Sequence, residues 1–263
     1  MDLGLKGRVA LVAASSQGLG KAVALGLGRE GAKLALCART EATLNAAADE
    51  IRREAGAEVL ARALDVASYD AVRGFVAAAV ERFGGVDICV ANAGGPPARL
   101  FEETTPADWR AAADLNLMST VWFAKETLPL MRQRRWGRFI AITSVTVKQP
   151  VEGLILSNAV RAGVSGLVKT LSNEYGRYNV LVNNVCPGYT ATARLISLSR
   201  AMAEKEGVEP KQIEERWAEQ TALGRLGRPE EFADLVVFLA SGRASYITGA
   251  SIAVDGGLVK GIY

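Results

Sequence analysis

Short apolar runs alternate along the chain with longer segments whose apolar residues recur every three or four positions. Runs of this length are typical of buried strands, and the longer spacing is typical of amphipathic helices. The runs occupy residues 9–13, 33–37, 59–64, 86–91, 138–142, 180–185 and 251–254. Because strands and helices alternate, the pattern predicts an α/β fold with a doubly wound, mainly parallel, seven-stranded sheet of the Rossmann type.

The first apolar run leads into a glycine-containing turn and then into a helix. The turn covers residues 14–20 and includes Gly18 and Gly20, which have no side chain to keep a ligand away from the backbone. The free N–H groups and the positive dipole end of the following helix favour an anion. We therefore expect a phosphate site for a dinucleotide, with a tight strand-to-helix connection as the alternative.

Composition and charge narrow the function classes. The chain has 263 residues, 49% of them hydrophobic, which is enough to form one domain over residues 1–263. Its 31 basic and 28 acidic residues are dispersed, and this balance favours a small-molecule partner over nucleic acid. No apolar run approaches the roughly 20 residues of a membrane span, and residues 1–4 do not resemble a signal peptide, so we expect no membrane association.

The cysteine and histidine content excludes further chemistry. The chain has no histidine, which excludes a Ser-His-Asp triad and histidine-ligated zinc. Cys37, Cys89 and Cys186 fall in apolar runs, so we predict buried, small apolar side chains rather than disulfides or metal ligands. The sequence thus predicts no metal and a reducing, cytoplasmic setting.

Several motifs occur in a fixed order after the glycine turn. They are NAG at residues 92–94, PGYTAT at 187–192, LGRPEE at 226–231, YITG at 246–249 and VDGG at 254–257. Together they resemble the short-chain dehydrogenase/reductase family over nearly the whole chain. The turn departs from the family pattern at Ala14, which replaces the first glycine. The resemblance implies an oxidoreductase with a dinucleotide cofactor.

The residue after the second strand bears on which dinucleotide binds. Arg39 stands where a carboxylate would bind the ribose hydroxyls of NAD and where a cation would pair with the 2′-phosphate of NADP. A guanidinium matches phosphate geometry, so Arg39 favours NADP over NAD, although it could be an ordinary exposed residue. The residues predicted to bind the cofactor are Ala14, Ser16, Gln17, Gly18, Leu19, Gly20, Arg39, Asp65, Val66, Asn92, Ala93, Gly94, Arg161, Pro187, Gly188, Thr190 and Thr192.

Two of these assignments have structural alternatives. The resemblance implies that Asp65 accepts a hydrogen bond from the adenine amino group, but Asp65 could instead cap the helix that begins near Ser68. The resemblance also places Asn92, Ala93 and Gly94 beside the adenine ribose, and a tight turn would explain the same triplet.

The catalytic group of the family is a Ser, a Tyr thirteen residues later, a Lys four residues beyond it, and an Asn in the preceding long helix. Ser144 and Asn116 match the Ser and the Asn, whereas Ser157 stands at the Tyr position and Arg161 at the Lys position. These four are the predicted catalytic residues. A serine hydroxyl is a much poorer acid than a phenol, whose pKa is near 10, while Arg161 can still hydrogen-bond the nicotinamide ribose.

Two charged residues between the serines could replace the missing phenol. Lys148 and Glu152 lie in the loop between Ser144 and Ser157, so either could supply the acid. Two solvated loop charges are the alternative.

One insertion and two helices predict features beyond the basic fold. Residues 190–226 are polar and helix-forming, which predicts a lid over the carboxyl edge of the sheet, with a solvated excursion as the alternative. Apolar stripes at Leu117-Val121-Ala124-Leu128 and Val164-Leu167-Val168-Leu171 predict a homotetramer, unless one subunit buries both stripes.

Three functions are compatible with the sequence. The first is an NADP(H)-dependent oxidoreductase that acts on a ketone or a secondary alcohol and resembles 3-oxoacyl reductases. The second is a nucleotide-binding homologue with little or no turnover. The third is a cofactor-independent lyase like the halohydrin dehalogenases, in which an arginine also occupies the lysine position; those relatives keep the tyrosine and lack the glycine turn.

Overall fold

A computed structural model describes residues 2–262. Within these residues, seven strands form one sheet in which every neighbouring pair is parallel. The strands are β1 (Val9–Ala13), β2 (Lys33–Ala38), β3 (Val59–Ala63), β4 (Ile88–Ala91), β5 (Gly137–Ile142), β6 (Val180–Pro187) and β7 (Ser251–Val254). Their order across the sheet is β3-β2-β1-β4-β5-β6-β7, which confirms the predicted fold class.

Helices cover both faces of this sheet. They are α1 (Gly18–Arg29), α2 (Glu41–Ala55), α3 (Tyr69–Phe83), α4 (Pro106–Ala113), α5 (Ser119–Arg134), α6 (Ile155–Tyr175), α7 (Ala193–Glu206), α8 (Pro210–Gln220) and α9 (Pro229–Ala240). A π-helical turn, Asp114–Met118, joins α4 to α5. No helix among residues 2–262 is both long and apolar enough to cross a membrane.

Two apolar layers form because alternate strand residues point to opposite faces. In β1, Ala10 and Val12 pack with α1, α2 and α9, whereas Leu11 and Ala13 pack with α3, α5 and α6. Cys37, Cys89 and Cys186 are free thiols buried inside the domain, as predicted. Burial raises the pKa of the Cys37 thiol to about 12, so this group stays neutral.

The strand order indicates which edge of the sheet binds ligands. The chain leaves β1 toward β2 on one side and later returns to pair β4 with the other side of β1. In open α/β sheets, ligands bind beyond the carboxyl ends of the strands at such a reversal. The turn that follows β1 therefore lies at the position where this fold binds ligands.

The insertion at residues 190–226 contains its own small apolar cluster. Helices α7 and α8 bury Ala203, Ile213 and Trp217 between them, and Tyr189 stacks on Trp217 with ring centroids 5.1 Å apart. The sequence predicted a polar, helix-forming segment here, and this apolar cluster holds its two helices together.

Candidate active site

One cavity lies at the carboxyl edge of the sheet and connects the predicted site residues. Its volume is about 560 Å³, within the range of sites that bind small molecules and cofactors. Every residue predicted to bind the cofactor lines it, as do Ser144, Ser157 and Arg161. Asn116 does not line it. The structure thus brings together side chains that are up to 178 positions apart in the sequence, from Ala14 to Thr192.

The glycine turn presents the beginning of α1 to this cavity. Gln17 precedes the helix in an extended conformation, and its side chain makes no capping hydrogen bond. The first turn of α1 contains no acidic residue. Neither a cap nor a carboxylate therefore competes for the first N–H groups of α1, which leaves them available to an external anion.

Gly20 allows the turn to fold back onto the strand. A Cβ atom at this position would collide with the carbonyl oxygen of Ala14 and approach the Ala14 carbonyl carbon to 2.9 Å. It would also lie 3.0 Å from Nδ2 of Asn92. That amide in turn donates a hydrogen bond of 3.3 Å to the carbonyl of Ala13. The backbone cradle thus requires glycine at position 20.

Ala14 adopts the left-handed backbone conformation, with φ of 49°. Glycine reaches this region without a steric penalty, whereas a side chain makes it unfavourable. Ala14 therefore has a backbone conformation that would suit the glycine found at this position in the family. It lines the cavity despite its methyl group.

Arg39 and Asp65 line the part of the cavity beyond the ends of β2 and β3. Arg39 is exposed and forms no ion pair with any carboxylate in the described part of the chain. Asp65 accepts a hydrogen bond of 3.0 Å from the Ala67 N–H, and the cap of α3 is the Ser68 hydroxyl, which accepts from Ala71. The alternative prediction that Asp65 caps α3 is therefore wrong, because Ser68 occupies that position.

Two serine hydroxyls, those of Ser144 and Ser157, line the other end of the cavity, and the buried Thr146 lies beside them. Ser144 precedes a short 3₁₀ turn, and its Oγ accepts a hydrogen bond of 3.2 Å from the Thr146 N–H. The Thr146 hydroxyl lies 3.2 Å from the Ser157 hydroxyl, and either group can donate. Ser144 contacts the backbone as an acceptor only, so its O–H proton remains available to a ligand in the cavity.

Arg161 lies one helical turn after Ser157 on α6 and is 6% exposed. Its Nη1 donates to the carbonyls of Ile142 and Thr143, at 3.3 and 3.1 Å, and its Nη2 donates to the carbonyl of Gly94 at 3.4 Å. Burial, followed by repulsion from Arg194, lowers the pKa of Arg161 to about 10. The guanidinium is therefore still charged at neutral pH and cannot serve as an acid there.

Asn116 lies on the π-helical turn, behind the cavity wall. Its Nδ2 donates a hydrogen bond of 2.7 Å to the carbonyl of Gly94. Its Oδ1 is buried and has no hydrogen-bond partner among residues 2–262. The side chain supports the Asn92-Ala93-Gly94 segment from behind, and such π-helical turns occur frequently at functional sites.

The two loop residues considered as substitute acids lie outside the cavity. Lys148 and Glu152 are both exposed, and neither lines the cavity wall. Their side chains are therefore the solvated loop charges of the alternative interpretation, because the loop between Ser144 and Ser157 turns them outward.

Arg194 is a cavity residue that the sequence analysis did not identify. It lies in the first turn of α7, two residues after the N-cap Thr192, and its Nη2 donates a hydrogen bond of 2.8 Å to the carbonyl of Pro96. Leu195 and Leu198 of the same helix also line the cavity. The insertion thus contacts the cavity directly. A cation two residues after the PGYTAT motif was the available signal in the sequence.

The residues present fit a dinucleotide. An uncapped helix beginning, a cradle that a Cβ atom would fill and an unpaired guanidinium beyond β2 line one cavity. This combination of fold and site defines a Rossmann-type, dinucleotide-binding oxidoreductase domain.

Comparisons with known proteins identify the family. A family model described as enoyl-(acyl carrier protein) reductase matches residues 13–259. The 3-oxoacyl-(acyl-carrier-protein) reductase FabG of Aquifex aeolicus is 33% identical over 98% of this chain and 100% of its own length. The acetoacetyl-CoA reductase of Shinella zoogloeoides is 35% identical over 95% and 98%. The chain belongs to the short-chain dehydrogenase/reductase family of NAD(P)-dependent oxidoreductases.

A solved structure supports the same assignment. L-Sorbose reductase from Gluconobacter frateurii, in complex with NADPH and L-sorbose, is similar with a TM-score of 0.95 and 34% identity, and the similarity covers 100% of both chains. The neighbour's cofactor agrees with the NADP prediction.

Proposed function

We propose that this protein is an NADP(H)-dependent oxidoreductase that acts on a ketone or a secondary alcohol, in the manner of 3-oxoacyl reductases. The observation that carries the proposal is that the Ser144 hydroxyl lines the same cavity as the open beginning of α1 and the unpaired Arg39. The names of the FabG and acetoacetyl-CoA reductase relatives support a carbonyl substrate.

At one end of the cavity the residues would bind the phosphates of the cofactor, and at the other end they would bind the substrate carbonyl. The beginning of α1 holds phosphate, and Arg39 pairs with the 2′-phosphate. Because Ser144 accepts from the Thr146 N–H, its proton can be donated to the substrate carbonyl and hold that oxygen in place. When bound, the nicotinamide supplies or accepts the hydride.

Arg161 is proposed to contribute charge and orientation rather than a proton. Its guanidinium is fixed by the carbonyls of Thr143 and Gly94, and Thr143 directly precedes Ser144. The donors not used in these contacts can hydrogen-bond the nicotinamide ribose. The three buried free thiols accord with the reducing, cytoplasmic setting that the sequence predicts.

A nucleotide-binding protein with little turnover is the second candidate. The observation in its favour is that position 157 carries a serine bonded to Thr146, and that the charged groups on the described cavity wall are Arg39, Asp65, Arg161 and Arg194. None of these is a phenol or an ammonium group. A positioned general acid contributes about 10²–10⁴ in rate, and this is the loss expected where nothing replaces the phenol. The lyase alternative is disfavoured because the glycine turn is present, with Gly18 and Gly20 in the cavity wall.

The Arg39→Ala variant tests the cofactor preference. In the unchanged protein, NADPH is expected to bind about 10- to 100-fold more tightly than NADH, because a charge-assisted hydrogen bond contributes about 1.5–3 kcal/mol. The variant should bind both cofactors equally, as measured by titration of cofactor fluorescence. Arg53→Ala is the matched control, since Arg53 is also exposed but lies away from the cavity on α2. Equal affinities in the unchanged protein would contradict the assignment.

The homotetramer remains a prediction, and the structure divides the two apolar stripes. Ala124, Leu128, Val164 and Val168 are buried within the subunit. Leu117, Val121, Leu167 and Leu171 are only partly buried. Leu117 and Leu171 also pack against the subunit's own core, so only the remaining exposed surface of the four is available to a second copy. Light scattering at micromolar concentration is expected to give four times the 27.8 kDa chain mass. A stable monomer would mean that both apolar stripes are buried within one subunit.

A further inference from the structure

Two guanidinium groups lie beside one short backbone segment at the catalytic end of the cavity. Arg161 donates to the carbonyl of Gly94, and Arg194 donates to the carbonyl of Pro96. Gly95 lies between these carbonyls, and a Cβ atom on it would be 3.5 Å from Nη2 of Arg194. Since α6 carries one arginine and α7 the other, the two cations approach the cavity from different elements.

The charge of this pair is not compensated by the protein. Neither arginine forms an ion pair with a carboxylate in residues 2–262, and the acidic side chain on the described cavity wall, Asp65, lies beyond β3 at the other end. Burial lowers the pKa of Arg161, and repulsion from Arg194 lowers it further. Arg161 is buried, whereas Arg194 is exposed. The unpaired charge of the buried Arg161 is unfavourable, so the arrangement becomes more favourable when an anion enters.

The arginines also have donors to spare. A guanidinium has five N–H groups, and Arg161 uses three of them on backbone carbonyls. If one of the other two serves the nicotinamide ribose, one is left for an anion. Arg194 uses one N–H group on the carbonyl of Pro96 and keeps four. Its partners Ile142 and Thr143 come immediately before Ser144, and Ser157 lies one turn away on α6. An anion bound here would therefore lie next to the proposed carbonyl site. Leu154, Leu195 and Leu198 line the same cavity and offer apolar contacts to a short carbon chain.

We propose that the substrate is an aliphatic oxo acid whose carboxylate binds between Arg161 and Arg194. This proposal rests on the proposed function and names the substrate class of the same site. A planar carboxylate matches the fork of a guanidinium, so the pair would select an acid over its neutral ester. The other source of the same oxyanion chemistry is the diphosphate of the cofactor, and the experiment separates the two.

The test compares oxo acids with their methyl esters by isothermal titration calorimetry on the complex with NADP⁺, which binds at the same site and has no hydride to give to a ketone. The probes are 2-oxopentanoate and 4-oxopentanoate, each paired with its ester. We expect the acid to bind about 10- to 100-fold more tightly than the ester. The reason is that hydrogen bonds between its carboxylate and the guanidinium groups are charge-assisted, whereas those of the ester are not. Arg194→Gln should remove this preference. Arg200→Gln, an exposed arginine of α7 that does not line the cavity, should keep it.

Several results would overturn the proposal. Equal binding of acid and ester, or no binding of either, would do so. So would an Arg194→Gln variant that loses NADPH affinity while keeping its preference for the acid, because Arg194 would then serve the diphosphate. Inorganic phosphate provides a second test on the same NADP⁺ complex. Displacement of the oxo acid with the cofactor retained supports the proposal, and displacement of the cofactor alone contradicts it.

The result expected if the proposed function is wrong differs from the result expected if only the substrate class is wrong. A protein that does not bind NADPH contradicts the cofactor assignment, whereas the acid-to-ester ratio measured on the cofactor-free protein still reports on the arginine pair. Circular dichroism confirms that each variant is folded. Arg194→Lys keeps the charge without the fork, so it should retain part of the preference.

Discussion

Replacing Ser157 by tyrosine and Arg161 by lysine is expected to raise the rate of reduction of a neutral ketone by about 10²–10⁴. A phenol beside an ammonium group has a lowered pKa and can exchange a proton with the substrate oxygen, whereas a serine hydroxyl cannot do so near neutral pH. Ser157 lines the cavity, so an aromatic ring at this position can extend into open space. The measurement is steady-state NADPH oxidation across pH.

Matched variants isolate the hydroxyl group of the new side chain. Ser157→Phe combined with Arg161→Lys supplies the ring without the acid and should show no gain. Removing the hydroxyl of Ser144 in the tyrosine variant should again slow the reaction, because Ser144 is proposed to hold the substrate oxygen. If the phenylalanine variant gains as much in rate as the tyrosine variant, the phenol is not the proton donor. If the unchanged protein already reduces the ketone rapidly, Ser157 or another group supplies the proton.

Gly20→Ala should weaken NADPH binding by about tenfold or more and destabilise the domain by about 1–3 kcal/mol. The added methyl group would meet the backbone of Ala14, which cannot rotate away as a side chain does. The turn must therefore open, and the first N–H groups of α1 move relative to the phosphate. Fluorescence titration measures the affinity, and urea denaturation measures the free energy of unfolding.

Gly74→Ala is the control for this substitution. Gly74 lies within α3, where an added Cβ has no heavy atom within 4 Å. Alanine is favoured over glycine inside a helix by roughly 0.5–1 kcal/mol, so this variant should be slightly more stable and bind NADPH normally. If Gly20→Ala binds NADPH as tightly as the Gly74→Ala control, the turn at 14–20 does not hold the phosphates.

The sequence alone predicted the sheet because strand and helix patterns are local. All seven predicted strands are present, and every strand end lies within two residues of the predicted one; β4, for example, begins at Ile88 rather than at residue 86. Burial on both faces of a parallel sheet requires continuous apolar runs, and these are visible without coordinates. The glycine turn was visible for the same reason, because its conformation depends on a few adjacent residues.

The sequence also determined which chemical groups are available. The absence of histidine and the presence of Ser144, Ser157 and Arg161 at defined spacings follow directly from the chain. The spacing of four residues places Ser157 and Arg161 on one side of the same helix, so their proximity was predictable from helical geometry.

Only the tertiary structure decided which side chains face the cavity. Arg194 was not predicted, because its role depends on how α7 packs against the Gly94–Pro96 segment, 98 positions earlier in the sequence. The same holds for the Thr146–Ser157 contact and for the outward positions of Lys148 and Glu152. Periodicity fixes the faces of one helix or strand, whereas the approach of separate elements depends on their packing. The uncompensated arginine pair is a property of that packing.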